Sequence, residues 1–286
     1  MVGQDLSQRL DELGYEVCHL SRKENLHAKY PAYRWDVEEG FVDPRALDVD
    51  HIIHLAGESV ASGRWSASRK KRIYDSRIKS TQLLAGAINE GKTNVKSFIG
   101  ASAIGLYGAD TGNQTVTEDS PSGHDFLATV VKDWEAATDQ IVGIPVAKVR
   151  IGVVLSNEDG ALPKMLLPIK FGVGAPLGSG KQYMSWIHID DLVRIFIHIL
   201  QNQLEGTFNA VAPHPETNTA FTKKVAEVLR RPLWMPNVPT FAMKALLGEM
   251  AGIVLGGSNV SCERIEKTGF DFHYRNLTPA LKNLLS

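Results

Sequence analysis

Short apolar runs alternate with longer amphipathic stretches along the first half of the chain. Leu6, Leu10 and Leu13 recur at helical spacing and predict a helix that Gly14 ends. The runs that follow predict strands at residues 16–21, 33–37, 51–55, 97–102 and 147–155, and helices at about 66–89 and 125–141. Strands that alternate with long helices indicate an α/β fold, in which a doubly wound parallel sheet is covered by helices on both faces.

The second half of the chain is less regular. It opens with a glycine- and proline-rich loop at residues 172–180. Helices are predicted at 187–200, 217–229, 240–247 and 279–285, and a strand is predicted at 207–211. We therefore divide the chain into a nucleotide-binding domain at 1–156 and a smaller, mixed substrate lobe at 157–286. Residues 206–213 are expected to return to the sheet of the first domain.

The predicted sheet lacks a segment for its first, central strand. Doubly wound dinucleotide folds open with an apolar strand, a glycine-rich turn and a helix, and the turn meets the pyrophosphate at the helix N-terminus. This sequence begins at the helix, with only Gly3 to represent the turn. Each unmade buried hydrogen bond costs about 1–3 kcal/mol. We therefore expect that the first strand and the glycine loop are missing from this chain; the alternative is a sheet with another strand order.

Charge and composition narrow the function classes. A net charge of −1 argues against a nucleic-acid surface, and we interpret the basic cluster at residues 69–72 as a solvated helix face. No apolar run has the roughly 18 residues of a membrane span, and no signal peptide is recognisable, so a cytoplasmic protein is expected. The two cysteines, Cys18 and Cys262, lie far apart and predict neither a disulfide framework nor a metal site.

Ligands of doubly wound sheets bind beyond the carboxyl ends of the strands. In this chain those ends are Ser21 and Arg22, Asp36, Ala56 to Glu58, Ser102, and Leu155 with Ser156. Ala56 and Gly57 are small enough to let a cofactor cross the backbone, although small residues are also typical of a plain tight turn. These strand ends form the predicted ligand site.

Several motifs carry a family resemblance, and they follow one another in a specific order. They are His54-Leu55-Ala56-Gly57-Glu58, Arg64-Trp65, Ser76-Arg77, Ser102 with Tyr107-Gly108, Trp134-Glu135, the run from Val149 to Leu155, the run from Gly178 to Gln182, and the run from Trp186 to Asp191. From Gly3 to the C-terminus, the chain resembles the extended short-chain dehydrogenases/reductases, and most closely their atypical subgroup of nucleotide-sugar epimerase-like proteins. The resemblance implies a Rossmann domain, a C-terminal substrate lobe, an NAD(P) cofactor and, by the same likeness, a homodimer through two long helices.

The end of the second strand of such a fold discriminates between NADP and NAD. NAD sites usually place an acid there to bond the ribose 2′-hydroxyl, whereas NADP sites place positive charge and hydroxyls there for the 2′-phosphate. Ser21 and Arg22 occupy this position, and Glu24 lies further out. We therefore predict that NADP is preferred over NAD; the alternative is that this segment is a solvated turn.

Other cofactor contacts are predicted at the neighbouring strand ends. The carboxylate of Asp36 is placed to accept the adenine amino group, with a helix cap or turn as the alternative. By resemblance, Leu55, Glu58 and Arg77 also line the site. Arg77 lies on the long helix and would face the pyrophosphate, with a surface ion pair as the alternative.

The catalytic chemistry implied by the resemblance is incomplete. It needs a Ser or Thr to orient the substrate, and a Tyr whose pKa is lowered by a Lys four residues later. Ser102 matches the first role, with a hydroxyl that caps a backbone group as the alternative. If Lys132 is the family lysine, Ala128 stands where the tyrosine belongs, and counting back from Glu135 also yields no tyrosine.

Substrate contacts are predicted in the loop nearest the presumed substrate, at residues 178–182. Lys181 and Gln182 would hold phosphate or sugar hydroxyls, unless the loop is only a flexible hinge. Tyr107 and Tyr183 are candidate substitutes for the missing phenol, although each is more often a packed aromatic. His188 is a candidate proton donor or acceptor, with a structural, hydrogen-bonded histidine as the alternative.

Two functions from different classes follow. The first is an NADP-dependent oxidoreductase or epimerase that acts on a nucleotide-sugar-like or other small carbonyl substrate. The second is a non-catalytic NADP sensor whose lobe reports cofactor binding to a partner, and the missing tyrosine favours it. The strand-end residues fit both. A third possibility is that this form of the chain binds no cofactor.

Overall fold

The computed structural model describes residues 1–91 and 93–285. The strands are β1 His19–Ser21, β2 Ala32–Asp36, β3 Phe41–Val42, β4 His51–His54, β5 Ser97–Ala103, β6 Asp110–Val116, β7 Val146–Ile151, β8 Val153–Leu155, β9 Tyr183–Met184, β10 Trp186–His188, β11 Gly206–Ala210, β12 Glu216–Thr217 and β13 Gly257–Val260. The helices are α1 Val2–Glu12, α2 Ala67–Asn89, α3 Phe126–Thr138, α4 Ala161–Lys170, α5 Ile189–Gln201, α6 Asn218–Val228, α7 Thr240–Leu247, α8 Ala251–Leu255, α9 Glu263–Glu266 and α10 Leu277–Leu285. Short 3-10 helices lie at Pro44–Leu47, Ile104–Tyr107 and Gly248–Met250.

The main sheet has four parallel strands in the order β11-β7-β5-β4. Successive side chains of β5 point to opposite faces, as a strand requires. Ile99 packs in the same cluster as Leu6 of α1 and Phe196 of α5. Its neighbour Phe98 packs with Leu84 of α2. Helices therefore cover both faces of a parallel sheet, and the predicted α/β doubly wound fold is confirmed.

A second, smaller sheet holds β1, β2 and β3, where β1 is parallel to β2 and β3 is antiparallel to it. In the described part of the chain no strand lies between β1 and β4, so the two sheets are separate. A cavity of about 1230 Å³, lined by residues of both strands, lies there instead. We call this cavity the slot. It occupies the position where the sequence analysis found no segment for a central strand.

The strand predicted at 147–155 is two strands, because the chain changes sheets at Gly152. Strand β7 belongs to the main sheet, whereas β8 pairs with β10. A Cβ atom at Gly152 would lie 2.5 Å from the carbonyl oxygen of Ser185, so only glycine permits this approach. The continuous apolar run concealed the break, and the prediction of a single strand was wrong here.

Outside the two sheets, the structure is built from short strand pairs and helices, and two of these strands, β6 and β8, lie before residue 157. Beyond the β8–β10 pair, β9 pairs with β12 and β6 pairs with β13. Helices α4, α6 and α10 pack around a common apolar cluster. The helices predicted at 217–229, 240–247 and 279–285 correspond to α6, α7 and α10, and β11 pairs with β7 in the main sheet.

Helix α2 carries the basic cluster that the sequence analysis assigned to solvent. The helix begins after Ser66, whose hydroxyl accepts a hydrogen bond from the backbone N–H of Arg69, a regular N-cap. The Arg69 side chain is buried and binds the carboxylate of Glu58 and the carbonyl of Ser59. The solvated interpretation was therefore wrong for Arg69. No helix in the described ranges is both long and apolar enough to cross a membrane.

Candidate functional site

Two groups of strand ends face the region where a ligand of this fold would bind. We call the carboxyl ends of β1, β2 and β4 the open edge; it includes Ser21, Arg22, Asp36 and the segment 55–58. We call the carboxyl ends of β5, β7 and β11, together with the side chains bonded to them, the packed edge. The two edges are neighbours, because β4 of the open edge pairs directly with β5 of the packed edge.

Arg77 is the most unusual charged group of the open edge. Its Nη1 donates hydrogen bonds to the carbonyl oxygens of Glu58 at 2.9 Å and Ile73 at 3.0 Å. Its guanidinium lies over the ring of Trp134, 5.3 Å from the centroid. Burial lowers the pKa of Arg77 to about 10, so the side chain remains a cation near neutral pH.

The charge of the nearby Glu58 partly offsets the lowering of the Arg77 pKa by burial, but the Glu58 carboxylate is paired with Arg69. Among the described residues Arg77 forms no salt bridge, and its Nε and Nη2 groups donate no hydrogen bond. A Cβ at Gly57 would lie 3.1 Å from the guanidinium carbon, so the backbone passes close to the cation at this glycine. A half-buried cation with free donors beside an exposed backbone turn suits an anionic ligand.

Glu58 is held in place by two contacts. Its backbone N–H donates to the hydroxyl of Ser76 at 3.0 Å. Its carboxylate binds the buried guanidinium of Arg69. The side chain therefore fixes the segment after β4 to helix α2, and its negative charge is paired with Arg69.

The ends of β1 and β2 are more exposed. Arg22 is exposed, and its guanidinium has no hydrogen-bond or salt-bridge partner among the described residues; the hydroxyl of Ser21 accepts a weak hydrogen bond from Lys23 N at 3.4 Å. The Oδ1 of Asp36 accepts hydrogen bonds from the N–H groups of Glu38 and Glu39, both at 3.1 Å. These bonds are those of a turn residue, the alternative considered for Asp36.

Gly3, Leu55 and Ala56 line the carboxyl end of the slot. Gly3 lies inside the first turn of α1 rather than in a turn before it. A Cβ at Gly3 would lie 3.8 Å from a methyl carbon of Leu55, so α1 begins directly beside the end of β4. The start of α1 and Arg77 therefore both lie beside the part of the open edge formed by the end of β4.

At the packed edge, Ser102 belongs to a buried network. Its hydroxyl donates to Oε1 of Glu135 at 2.5 Å. Both carboxylate oxygens of Glu135 accept from Arg150, at 2.8 Å each, in a bidentate pair. Burial alone would raise the pKa of Glu135, but the hydrogen bonds and charge of Arg150 outweigh it and lower that pKa.

The same network includes Tyr107. Arg150 donates to the Tyr107 hydroxyl at 3.0 Å and to the carbonyl of Glu118 at 2.8 Å. The Tyr107 hydroxyl donates to the side-chain oxygen of Asn209 at 2.6 Å. Burial raises the pKa of Tyr107, which opposes release of its proton near neutral pH.

The two predicted catalytic side chains are not brought together. Lys132 is exposed on α3, whereas Ser102 is buried and bonded to Glu135 from the inward face of that helix. Ala128, the position where the resemblance called for a tyrosine, is fully buried. Helix α3 therefore presents the carboxylate of Glu135 to Ser102, and it does not present the tyrosine–lysine pair that the resemblance implies.

The predicted substrate residues in the second lobe differ in accessibility. Lys181 is exposed, and Tyr183 is half-buried in β9. The amide of Gln182 donates to the carbonyl of Leu177 at 3.0 Å, within the loop, and to that of Val254 at 3.1 Å, so it also ties the loop to α8. Of the three, Lys181 and Tyr183 have side chains open to a ligand.

His188 is the N-cap of α5. Its Nδ1 accepts from Asp190 N at 3.1 Å, so its Nε2 carries the proton and faces Asn283 Oδ1 at 3.1 Å. The ring stacks on Tyr274 with centroids 3.9 Å apart. Burial lowers the pKa of His188 and keeps it neutral. These contacts are those of the structural alternative.

One group of acidic and histidine side chains has metal-ligand spacing. Ligand atoms of Asp190, Asp191 and His273 lie within 4.8 Å of one another. The Asp191 carboxylate already accepts from the backbone N–H groups of His273 and Tyr274, both at 2.8 Å, and from Arg194 at 2.9 Å. It therefore anchors the C-terminal segment, and its oxygens are occupied by donors.

Sequence reasoning missed two features of this region. The first is the Glu135–Arg150 pair, and the signal was an arginine inside the apolar strand at 147–155, because a charge in such a strand needs a buried partner. The second is the ring of Trp134 under Arg77, which no spacing rule indicates because it depends on the packing of α2 against α3.

The parallel sheet, the helices on both faces and the strand-end site define a Rossmann-fold protein of the extended short-chain dehydrogenase/reductase type. A sequence profile of the NAD dependent epimerase/dehydratase family matches residues 1–211, and a profile of a domain of unknown function, DUF1731, matches residues 238–284. The chain belongs to the NAD dependent epimerase/dehydratase family. The resemblance drawn from the sequence motifs is thereby confirmed.

Curated relatives match over the full length. Epimerase family protein ML0860 of Mycobacterium leprae is 37% identical over 287 aligned residues, which cover 98% of this chain and 91% of the relative. Epimerase family protein YfhF of Bacillus subtilis is 36% identical, and the alignment covers 100% of this chain and 95% of the relative.

Several solved structures are similar to this chain in fold. The crystal structure of human epimerase family protein SDR39U1 with NADPH superposes with a TM-score of 0.89 at 33% identity, covering 99% of this chain and 95% of that one. A nucleoside-diphosphate sugar epimerase from Corynebacterium glutamicum gives a TM-score of 0.78 at 35% identity, covering 100% of this chain and 56% of that one. UDP-glucuronic acid 4-epimerase from Bacillus cereus, with a TM-score of 0.78 at 16% identity, shares the fold.

Proposed function

We propose that this protein binds a nicotinamide dinucleotide at the open edge and acts with it as an NADP-dependent oxidoreductase or epimerase. The substrate class is a nucleotide sugar or another small carbonyl compound. The observation that carries the proposal is Arg77, a half-buried guanidinium with free donors and no salt bridge in the described chain. A partly desolvated charge that forms no salt bridge is costly, so a ligand anion at this point would be favourable.

The residues of the open edge fit a dinucleotide. Arg77 would hold the pyrophosphate, and Gly57 allows the backbone to approach it because no side chain intervenes. The start of α1 beside Leu55 adds backbone N–H groups and the positive end of a helix dipole. The ring of Trp134 and the Glu58–Arg69 pair hold these groups in place.

The preference for NADP rests on the end of β1. Arg22 is exposed and unpaired among the described residues, so its planar set of donors is available for a 2′-phosphate. No acid occupies this strand end to bond a free ribose 2′-hydroxyl. The crystallisation of human SDR39U1 with NADPH supports the same preference.

When bound, the nicotinamide supplies the hydride chemistry, and the chain supplies position and proton control. Lys181 and Tyr183 in the second lobe have accessible side chains for a polar substrate. Ser102 and Tyr107 lie in the packed edge with their hydroxyls engaged by Glu135 and Asn209. Before Ser102 or Tyr107 could transfer a proton to or from a substrate, its hydrogen bond to Glu135 or Asn209 would have to break.

The engagement of the Ser102 and Tyr107 hydroxyls within the protein favours a second candidate function, a non-catalytic NADP sensor. The Ser102 hydroxyl is held by Glu135, Lys132 is exposed, and Ala128 provides no acid or base. A sensor needs only the open edge, and it would report binding through the second lobe. The two candidates share the cofactor site and differ in turnover.

The first experiment is a fluorescence titration with NADPH and with NADH. Trp134 contacts Arg77 and is one of five tryptophans, so binding at the open edge should change the protein emission. We expect saturable binding, tighter for NADPH. Equal affinity for the two dinucleotides would contradict the role given to Arg22, and no binding of either would overturn the proposal.

The second experiment separates the enzyme from the sensor. NADPH oxidation is followed with a panel of nucleotide sugars and small carbonyl compounds, and epimer formation is followed by mass balance and NMR. Turnover of one compound class supports the enzyme. Tight NADPH binding with no turnover across the panel would refute the enzyme and leave the sensor.

A further inference from the structure

We infer that one surface of the second lobe docks onto an anionic lipid surface, with apolar side chains inserted among the lipids and basic side chains at the headgroups. We call this surface the basic apolar face. It consists of the exposed residues of the segments 164–173, 230–234 and 240–245, which belong to α4, to the end of α6 and to the start of α7. The inference needs no dinucleotide and is independent of the cofactor proposal.

Helix α4 is apolar on two sides. Its inward side chains, Leu162, Leu166 and Ile169, are buried in the apolar cluster that α4 shares with α6 and α10. On the outward side, Leu167 is 58% exposed, and Phe171, directly after the helix, is 76% exposed. Because these two residues are four positions apart, they lie on the same side of the helix. A surface helix normally turns polar residues to solvent, so the outward side of α4 indicates a second apolar contact.

Two neighbouring segments continue this exposed apolar surface. Leu233, which follows α6, packs against the same cluster as α4, whereas the next residue, Trp234, is 69% exposed. Val238 exchanges two backbone hydrogen bonds of 2.9 Å with residues 176–178, so the chain before α7 runs beside the chain after α4. Helix α7 has no buried residue, and Phe241 in its first turn is exposed. The exposed apolar side chains therefore lie on adjoining elements.

The charge of these elements has one sign. Residues 160–189 contain three lysines, residues 228–248 contain two arginines and one lysine, and neither segment contains an aspartate or a glutamate, although the whole chain has a net charge of −1. The exposed cations on the basic apolar face are Lys164, Lys170, Arg230, Arg231 and Lys244. None of them forms a salt bridge with a residue that the structure describes. Unbalanced cations beside exposed apolar side chains suit a partner that is both anionic and apolar.

A second copy of this chain does not meet that requirement. A two-fold interface brings the same patch of both subunits together, so it would place these cations against one another.

The exposure of the aromatic side chains favours a lipid surface over an acidic protein. Phe171, Trp234 and Phe241 are mostly exposed. A protein partner must offer a shaped pocket to each such side chain, whereas a bilayer accepts them at any spacing. Tryptophan beside lysine and arginine is also the typical composition of membrane-interface anchors. Contact of this kind lies in the headgroup region and requires no spanning helix.

The test is a vesicle flotation assay with the full chain. The vesicles are made of phosphatidylcholine alone, or of an equal mixture of phosphatidylcholine and phosphatidylglycerol. We expect binding to the mixed vesicles that is tighter by about tenfold or more and that is weakened by added salt. Brominated phosphatidylcholine in the mixed vesicles should quench the protein emission, and Trp234→Phe should remove that part of the quenching.

Two pairs of exposed changes test the two kinds of contact, each with a matched control. Phe171→Ser with Trp234→Ser should weaken binding to the mixed vesicles about tenfold, whereas Val142→Ser, at an exposed apolar residue outside the face, should not. Lys170→Glu with Arg231→Glu should weaken it about tenfold or more, whereas Arg72→Glu, at an exposed arginine of α2, should not.

The inference is overturned if neither type of vesicle is bound, or if the control variants lose as much binding as the paired variants. Binding without quenching that depends on Trp234 would also overturn it. A chain that ignores the vesicles but binds a synthetic peptide of alternating glutamate and leucine, with a change in Trp234 emission, would show that the face docks an acidic protein instead.

The assay contains no NADPH, so failure of the cofactor proposal would leave its result unchanged.

Discussion

The open edge and the packed edge contain polar residues of the same kinds, at equivalent positions after parallel strands, but they use them in opposite ways. Ser102, Tyr107, Glu135 and Arg150 in the packed edge bond to one another and are buried. In the open edge, Arg77 has donors without partners in the described chain. A position at a strand end is therefore not enough to identify a ligand contact. The better indicator is whether the polar groups of the side chain are already hydrogen-bonded within the protein.

The largest effect is expected from the packed edge. Arg150→Met leaves the buried carboxylate of Glu135 without its bidentate partner. Removing one member of a buried ion pair costs about 3–5 kcal/mol. Urea unfolding should show a loss of this size, whereas Lys132→Ala, an exposed change on α3, should stay within about 0.5 kcal/mol. Equal effects of the two variants would contradict a structural role for the network.

A second prediction concerns His54 in β4. It is buried and bonded to the Ser80 hydroxyl at 3.0 Å, and burial lowers its pKa from 6.5 to about 4. The unfolded chain therefore binds a proton below about pH 6.5 that the folded chain accepts only near pH 4. The stability associated with His54 is complete above pH 6.5 and falls as the pH decreases towards 4.

The expected loss is about 3 kcal/mol over this window, at about 1.4 kcal/mol per pKa unit. Urea unfolding at pH 7, 5.5 and 4 measures it, and His54→Gln should show a shallower pH dependence by that amount. Parallel pH profiles for the two proteins would show that His54 is not held neutral.

The third prediction returns to the open edge. Arg77→Met should weaken NADPH binding about 10- to 100-fold, because a hydrogen bond to a charged group contributes about 1.5–3 kcal/mol. Lys79→Met, which removes a half-buried lysine paired with Glu38 on the same helix, is the matched control. A titration in which both variants bind NADPH like the parent protein would remove Arg77 from the cofactor site.

The smallest effect is expected at Arg22. Its contact with a 2′-phosphate would be exposed to solvent, so it is worth about 1 kcal/mol or less. Arg22→Ala should reduce the preference for NADPH several-fold and leave NADH affinity unchanged, with Lys23→Ala as the control. A parallel loss of affinity for both dinucleotides would place Arg22 near another part of the cofactor.

The fold could be predicted from the sequence where a local signal exists. Ser66 and Asp125 cap α2 and α3 close to where the periodic patterns begin. The β6–β13 pair was missed because β6 is mostly polar and exposed, and its partner is far along the chain. The break at Gly152 was missed because the flanking residues are apolar on both sides.

The site was harder to predict because its chemistry depends on pairing. The sequence places Ser102, Arg77 and His188 at strand or helix ends, but it does not say which of their polar atoms are already engaged. Glu135 reaches Ser102 from a helix 33 positions later. His188 is engaged by Asn283, 95 positions later. Such long-range contacts carry no local pattern.

The central claim is that the open edge binds the dinucleotide while the packed edge holds the fold together. Amide hydrogen exchange with and without saturating NADPH tests it directly. We predict slower exchange in the loops at residues 21–24 and 55–60, and unchanged exchange at residues 102–108 and 117–120 beside the packed network. Protection centred on the packed edge, with residues 55–60 unchanged, would contradict the account.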